Sequence, residues 1–313
     1  MKIAMIGTGG IAQRHLGVLA HEEGLEVVGH VSPTADHAAA AAKRWGGRAY
    51  TDYRALLQHE APDAVWICVP PNAHGAPEQD LIAANIPFFV EKPLAADRRT
   101  AENIAAAVEQ SGVIAGVAYH WRALDTLAEV RHTLAENPPH LVLGAWHAGT
   151  PPPRWWHKQA ASGGQIVEQA THVVDLARHL VGEADVIASS AGHHPRAAYP
   201  DLDVATQSAA LVRFASGATG VFTATCLLGG AAAVHVQLVC DGLLITITQS
   251  SVTYDWGRER RDVRTGNDPF ATENCAFLDA VRRNDPGVLL SSYADALRTH
   301  QLCCDMRDAA FQH

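Results

Sequence analysis

Gly7-Thr8-Gly9-Gly10-Ile11-Ala12 and Glu91-Lys92-Pro93 are the two segments of this chain whose residue types point most directly to chemistry. Gly7, Gly9 and Ala12 stand at G-x-G-x-x-G/A spacing, after the apolar run Lys2–Ile6 and before a helical pattern. The first glycine permits a tight turn, the second lets the backbone approach a pyrophosphate, and the alanine allows close helix–strand packing. Gly10 and Ile11 open the helix, whose free N–H groups and positive dipole end favour phosphate. Glu91-Lys92-Pro93 ends the short apolar run Pro87-Phe88-Phe89-Val90. That places a lysine at the carboxyl edge of the same sheet, where ligands of open α/β sheets lie. A cationic side chain there can polarise a hydroxyl or carbonyl oxygen as a hydride moves. Together the two segments imply a nicotinamide dinucleotide enzyme.

The end of the second strand decides between NAD and NADP. It reads Gly29-His30-Val31-Ser32-Pro33-Thr34, with no Asp or Glu to bind a ribose 2′-hydroxyl. Ser32 and Thr34 can donate to a 2′-phosphate, although no arginine stands at 33–37 to pair with one. The cofactor expectation is NADP(H) or NAD(H), leaning slightly to NADP(H).

Strands alternating with helices must position these residues. Lys2–Ile6, Glu26–Val31, Ala64–Val69, Pro87–Val90 and Val113–Val117 read as strands. Helical runs over Ile11–Glu22, Ala35–Trp45, Tyr53–Glu60, Ala76–Asn85 and Arg98–Ser111 separate them. This predicts a doubly wound parallel Rossmann sheet over residues 1–120. From residue 121 to 313 the pattern changes. Closely spaced strands such as Ala209–Phe214, Thr219–Cys226, Ala233–Val239 and Leu243–Thr248 are broken by Gly or Gly-Ala turns. They predict a second α/β domain with a large open, mainly antiparallel sheet, closed by helices over Pro269–Arg283 and Ser292–Phe311. The final helix is expected to reach back to the first domain. Sheets of this kind leave an exposed face, so a homodimer or homotetramer joined through them is expected.

A length of 313 residues suits two domains, each with its own core. With 24 Lys plus Arg against 33 Asp plus Glu, the net charge of −9 lacks the basic footprint of a nucleic-acid binder. No stretch has the roughly 20 apolar residues of a membrane span, and the first strand begins at Lys2, leaving no room for a signal peptide. The six cysteines form no C-x-x-C pair and are read as reduced thiols of a cytoplasmic protein. No metal site is expected.

The glycine turn, Glu-Lys-Pro and a third segment, Gly163-Gly164 followed by Glu168, His172 and Asp175, resemble the signatures of the Gfo/Idh/MocA family of glucose–fructose oxidoreductase, inositol dehydrogenase and their relatives. The resemblance spans the whole chain. It implies that Pro70, Asn72 and His74 line the nicotinamide ribose, that Glu91 stands on the cofactor side, and that Lys92, His172 and Glu168 are catalytic. It further implies that Gly116-Val117-Ala118-Tyr119-His120-Trp121-Arg122 delivers Tyr119 and Arg122 to the substrate, with Asp175 beside them. Glu168 stands where aspartate is commoner in the family, which lengthens that side chain by one methylene.

On a regular helix 168, 172 and 175 share one face. An imidazole, with an unperturbed pKa of about 6.5, is suited to acid–base work there. By residue type alone the same face reads equally as a solvated helix side and, much less readily, as a metal site. Trp155 and Trp156, in a loop between Pro151-Pro152-Pro153 and Gly163-Gly164, fit an aromatic wall for a sugar ring or a packing loop. The leading reading is an NAD(P)-dependent oxidoreductase moving a hydride between nicotinamide and a C–OH/C=O carbon of a sugar, sugar derivative or cyclitol. Two alternatives stand beside it: a redox-silent dinucleotide-binding regulator, and a glycosidase that uses bound NAD without net redox.

Overall fold

In a computed structural model, which describes residues 1–310, the chain divides into two compact units. The first comprises Met1–Leu94, Arg99–His120 and Asp268–Leu297, and the second comprises Ala95–Arg98, Trp121–Asn267 and the residues from Arg298 onward. Phe311, where the sequence reading ends the last helix, lies outside the described residues.

The first unit runs β1 (Lys2–Ile6), α1 (Gly10–Leu19), β2 (Glu26–Val31), α2 (Ala35–Trp45), β3 (Arg48–Tyr50), α3 (Tyr53–Glu60), β4 (Ala64–Ile67), α4 (Ala76–Ala83), β5 (Phe88–Glu91), α5 (Arg98–Ser111) and β6 (Ala115–Ala118). The strands form one parallel sheet in the order β3-β2-β1-β4-β5-β6. The order reverses between β1 and β4, and that switch point opens a crevice at the carboxyl ends of the strands. β1, β4 and β5 are apolar on both faces because helices cover both. The short strand β3 escaped the sequence reading, since Arg48-Ala49-Tyr50 has neither the length nor the apolarity of its neighbours.

The second unit holds α6 (Leu127–Glu136), β7 (Leu141–Gly149), α7 (Gln159–Ser162), α8 (Thr171–Val181), β8 (Ala184–Gly192), β9 (Gln207–Phe214), β10 (Thr219–Leu228), β11 (Ala233–Cys240), β12 (Leu243–Ile247), β13 (Ser251–Asp255) and β14 (Arg260–Arg264). Its eight strands are ordered β14-β13-β12-β11-β7-β10-β9-β8. All pairs are antiparallel except β7 with β10. Along β10 every second residue is buried, and Phe222, Ala224 and Cys226 face inward. Phe222 belongs to one apolar cluster with Val173, Leu176 and Ala177 of α8 and Val236 and Leu238 of β11. Burying each such side chain contributes about 1.5–3 kcal/mol before the entropy of ordering it is subtracted.

Two helices close the chain, α9 (Pro269–Arg283) and α10 (Tyr293–Ala309). α9 belongs to the first unit, and the boundary between units falls within α10. Phe277 and Leu278 of α9 join the core of Ile3, Met5, Trp66 and Phe89. Phe277 meets Trp66 edge-on at 5.1 Å.

Candidate active site

Gly7 has φ +100°, and a Cβ there would lie 2.0 Å from the Cys68 carbonyl oxygen, so only glycine lets β1 turn into α1 beside β4. A Cβ on Gly9 or Gly10 would meet nothing within 4 Å. Gly9 caps α1 without any side-chain hydrogen bond, which leaves the first N–H groups of the helix for a ligand. Ile11 is 38% exposed, unusual for a large apolar side chain, while Ala12 is fully buried against the sheet. Open space, unsatisfied donors and a helix N-terminus fit a dinucleotide pyrophosphate. Ser32 is buried and its Oγ accepts the Thr34 N–H at 3.2 Å, tying the two 2′-phosphate candidates into one turn.

The strand β4 ends at Ile67, and Pro70 precedes a single 3₁₀ turn over Pro71–Ala73. Asn72 is exposed on that turn. His74 is buried, and its Nδ1 stands 2.6 Å from Glu78 Oε1. The other Glu78 oxygen accepts the Gly75 N–H at 2.6 Å, so His74 is held by the start of α4. Lys92 follows the last residue of β5, half-buried, with a cis peptide bond to Pro93.

Glu91 is 6% exposed and accepts at both oxygens, from His15 Nε2 at 2.9 Å and from the Lys92 backbone N–H at 3.1 Å. Burial pushes its carboxyl up, but the His15 hydrogen bond and the nearby positive charge of Lys92 outweigh it and hold the group below the usual range. Glu273 of α9 is the opposite case. Buried and with neither oxygen hydrogen-bonded, it is held well above the normal range by desolvation and by the charges of Glu91 and Asp268. His120, stacked on Phe270 at 4.5 Å, is pushed down to about 4 by burial. Tyr119 is buried at the end of this segment.

In the second unit Gly163 has φ +79°, and a Cβ there would press to 2.8 Å of the Ala96 carbonyl. The tight Gly163-Gly164 turn launches a π-helical turn, Ile166–Ala170, which passes into α8. The sequence reading took this stretch as one regular helix. Such a wider turn is a feature frequent at functional sites. The three residues have three different partners. Glu168 accepts the Trp156 indole N–H at 2.7 Å. His172, 5% exposed, stacks on Trp146 of β7 at 5.6 Å and 24°. Asp175 is fully buried and bidentate with Arg122, whose Nε and Nη2 donate at 2.7 and 2.5 Å. Thr299 donates to the same carboxylate at 2.7 Å and accepts from Arg178 at 3.0 Å.

Trp156 is buried with Leu202, Val204 and Cys226, whereas Trp155 is partly exposed beside that cluster. Among the described residues no group of three or more His, Cys, Asp or Glu has the geometry to hold a metal ion. The sequence reading brought Glu168 and Trp156 to the same region but did not connect them. It missed His15, Glu78, Glu273 and Asn274 altogether. The only signal for the last two is that they are polar positions on the buried side of α9.

Comparisons with known proteins identify the family and the fold. Residues 1–119 match the family described as "Oxidoreductase family, NAD-binding Rossmann fold", and residues 138–255 match the "GFO/IDH/MocA C-terminal domain". The levoglucosan dehydrogenase of Pseudarthrobacter phenanthrenivorans is 26% identical over 232 residues, 64% of this chain and 58% of that protein. Two solved structures establish the fold. A 3-ketoreductase from Actinomadura kijaniata in complex with NADP and TDP-benzene superimposes with a TM-score of 0.87 at 21% identity, covering 99% of this chain and 97% of that one. A levoglucosan dehydrogenase in complex with NADH does so with 0.88 at 21%, covering 99% and 96%. The glycine turn, the Glu-Lys-Pro strand end and both domain matches place the chain in the Gfo/Idh/MocA family of NAD(P)-binding oxidoreductases.

Proposed function

We propose that the protein oxidises or reduces one carbon of a sugar, a sugar derivative or a cyclitol, with a slight preference for NADP(H). When bound, the dinucleotide supplies or accepts the hydride. The backbone N–H groups after Gly9 hold the pyrophosphate, Ser32 and Thr34 meet the adenosine ribose, and Pro70, Asn72 and His74 line the nicotinamide side. Lys92 polarises the reacting oxygen. His172 takes the hydroxyl proton on an imidazole nitrogen during oxidation and returns it during reduction. Glu168, held by Trp156, accepts from a neighbouring hydroxyl, and the partly exposed Trp155 offers a ring face to the sugar. Arg122 and Asp175, bonded to each other, hold the base of α8 three residues beyond His172.

The observation that carries this reading is Lys92 at the carboxyl end of β5, in the sheet whose switch point bears the glycine turn. Relatives named for oxidation of levoglucosan and of D-glucosides support a pyranose-like substrate. The test is a panel of free sugars, glucosides, levoglucosan and cyclitols with NAD and with NADP, followed at the nicotinamide absorbance. Absence of NAD(P)H formation across the panel, together with absence of ketose reduction, would reject the reading.

We also propose a cytoplasmic homodimer or homotetramer joined through the large sheets. Ile187 and Leu211 are exposed next to one another on the adjacent strands β8 and β9, apolar surface that a second copy would cover. Light scattering at micromolar concentration tests this, and a monomer would reject it.

A further inference from the structure

A directional hydrogen-bond relay runs through the first unit and ends on the Lys92 backbone. Trp66 Nε1–H, which can only donate, gives its proton to Asn274 Oδ1 at 2.8 Å. Asn274 Nδ2 donates at 2.7 Å to the Phe270 carbonyl, which can only accept. These two contacts independently fix which amide atom is which. Nδ2 then points its second proton at His15 Nδ1, 2.8 Å away, closer than the 3.3 Å to Oδ1. His15 Nδ1 is therefore an acceptor, the neutral ring carries its proton on Nε2, and that proton goes to Glu91 Oε1 at 2.9 Å. Glu91 Oε2 accepts the Lys92 N–H at 3.1 Å. Trp66, Asn274 and His15 are fully buried, and the His15 ring is wedged edge-on between Phe89 and Phe270.

We infer that His15, fixed in one tautomer by Asn274 and Trp66, is a positioning residue for Lys92: it holds Glu91 as the doubly accepting carboxylate that anchors the Lys92 backbone. The inference rests on the role proposed for Lys92. Its physical basis is that a protonated Glu91 could not accept at both oxygens. One oxygen would become a donor and would face either an imidazole N–H or a backbone N–H. The charged and titratable groups around Glu91 are His15 on α1, Lys92, His120 after β6, Glu273 on α9 and, after β4, Cys68, whose thiol is pushed up by burial first and then by Glu91 and Glu273. Of these, His15 supplies the side-chain hydrogen bond that favours the ionised form.

The experiment compares wild type with His15→Phe and His15→Gln. Glutamine can place its amide nitrogen where the imidazole Nε2 stands and its oxygen near Nδ1. Infrared difference spectra of the purified protein between roughly pH 8 and 5 read carboxyl protonation without any ligand. In His15→Phe a protonated carboxyl band should appear at higher pH than in wild type, and it should vanish in His15→Phe/Glu91→Gln. His15→Gln should restore the wild-type spectrum. On the fastest substrate of the sugar panel, His15→Phe should lose about tenfold in kcat, the scale of orienting groups in other sites. Its acid limb should move to higher pH and dinucleotide affinity should stay unchanged. Should His15→Phe fail to fold, Glu91→Gln replaces it, with the same kcat loss expected because an amide cannot accept at both ends. An unchanged carboxyl spectrum, or a kcat loss with an unshifted pH profile that His15→Gln does not repair, would overturn the inference. Failure of the proposed reaction looks different: no panel sugar is turned over, or Lys92→Ala keeps wild-type turnover, while the infrared bands behave as expected.

Discussion

Each unit sets a buried carboxylate close in sequence to its candidate catalytic residue, and the two do it by different physics. In the second unit Asp175, three residues after His172, is locked by a bidentate Arg122 guanidinium and by Thr299. In the first unit Glu91, directly before Lys92, is held by a neutral histidine and a backbone N–H, with the unpaired Glu273 nearby. A fully paired buried ion is expensive to break because removal of one partner strands the other. A neutral relay is cheaper to disturb but sensitive to proton position, since each donor depends on the one before it. The second unit is thus built for rigidity, and the first for control of protonation at the carboxyl edge of the sheet.

The largest expected effect comes from breaking the ion pair. Arg122→Ala leaves Asp175 buried without its guanidinium and should destabilise the protein by about 3–5 kcal/mol, read as a fall in denaturation midpoint. Wild-type stability in that variant would erase the contrast between the units. Next are the residues the two carboxylates support. Lys92→Ala and His172→Ala should each lower turnover by about 10²-fold or more, with dinucleotide binding retained in titrations of intrinsic fluorescence. His172→Ala should also flatten the pH dependence of kcat near neutrality. Near-wild-type turnover of Lys92→Ala on its true substrate would remove the mechanism.

Glu273 sharpens the comparison at smaller scale. Its folded-state carboxyl lies well above the unfolded value because of burial. Below the unfolded value both states bind the proton. Above it the folded state alone retains the proton, so stability declines as pH rises toward the folded value. Glu273→Gln, which mimics the protonated form, should remove that decline and raise Tm by about 1–2 °C at pH 7 to 8, the shift that about 1 kcal/mol makes in a chain of this size. A Tm that falls equally at all pH values would mean that Glu273 is a satisfied part of the core. The smallest effect expected is on cofactor choice. Ser32→Asp adds a carboxylate to the edge of the first unit and should move preference toward NAD by repelling a 2′-phosphate, measured as the ratio of kcat/KM values for the two dinucleotides. A wild type already strongly selective for NAD would refute the reading of Ser32 and Thr34.

Much of this was legible in the chain. The glycine turn, the apolar strand ending in Glu91-Lys92-Pro93 and the breaks between later strands are local patterns, and local patterns report local structure. The π-helical turn at Ile166–Ala170 was not legible, because Glu168, His172 and Asp175 are spaced as on an ordinary helix and only packing widens the turn. The membership of α9 in the first unit was equally hidden, since its apolar face does not say which sheet it covers.

The sequence by itself determined the alternation of strand and helix in the first unit, the position of Lys92 at a strand end and the residue types available for a proton and a hydride. Those follow from short-range sterics and from the period of apolar residues. Only the tertiary structure decided that Asp175 serves Arg122 and Thr299, and that Glu91 answers to His15, Asn274 and Trp66. The partners in these networks lie 53 to 259 residues apart along the chain. A donor and an acceptor so far apart carry no mutual signature until folding removes water from both and makes each a replacement for the other's lost water.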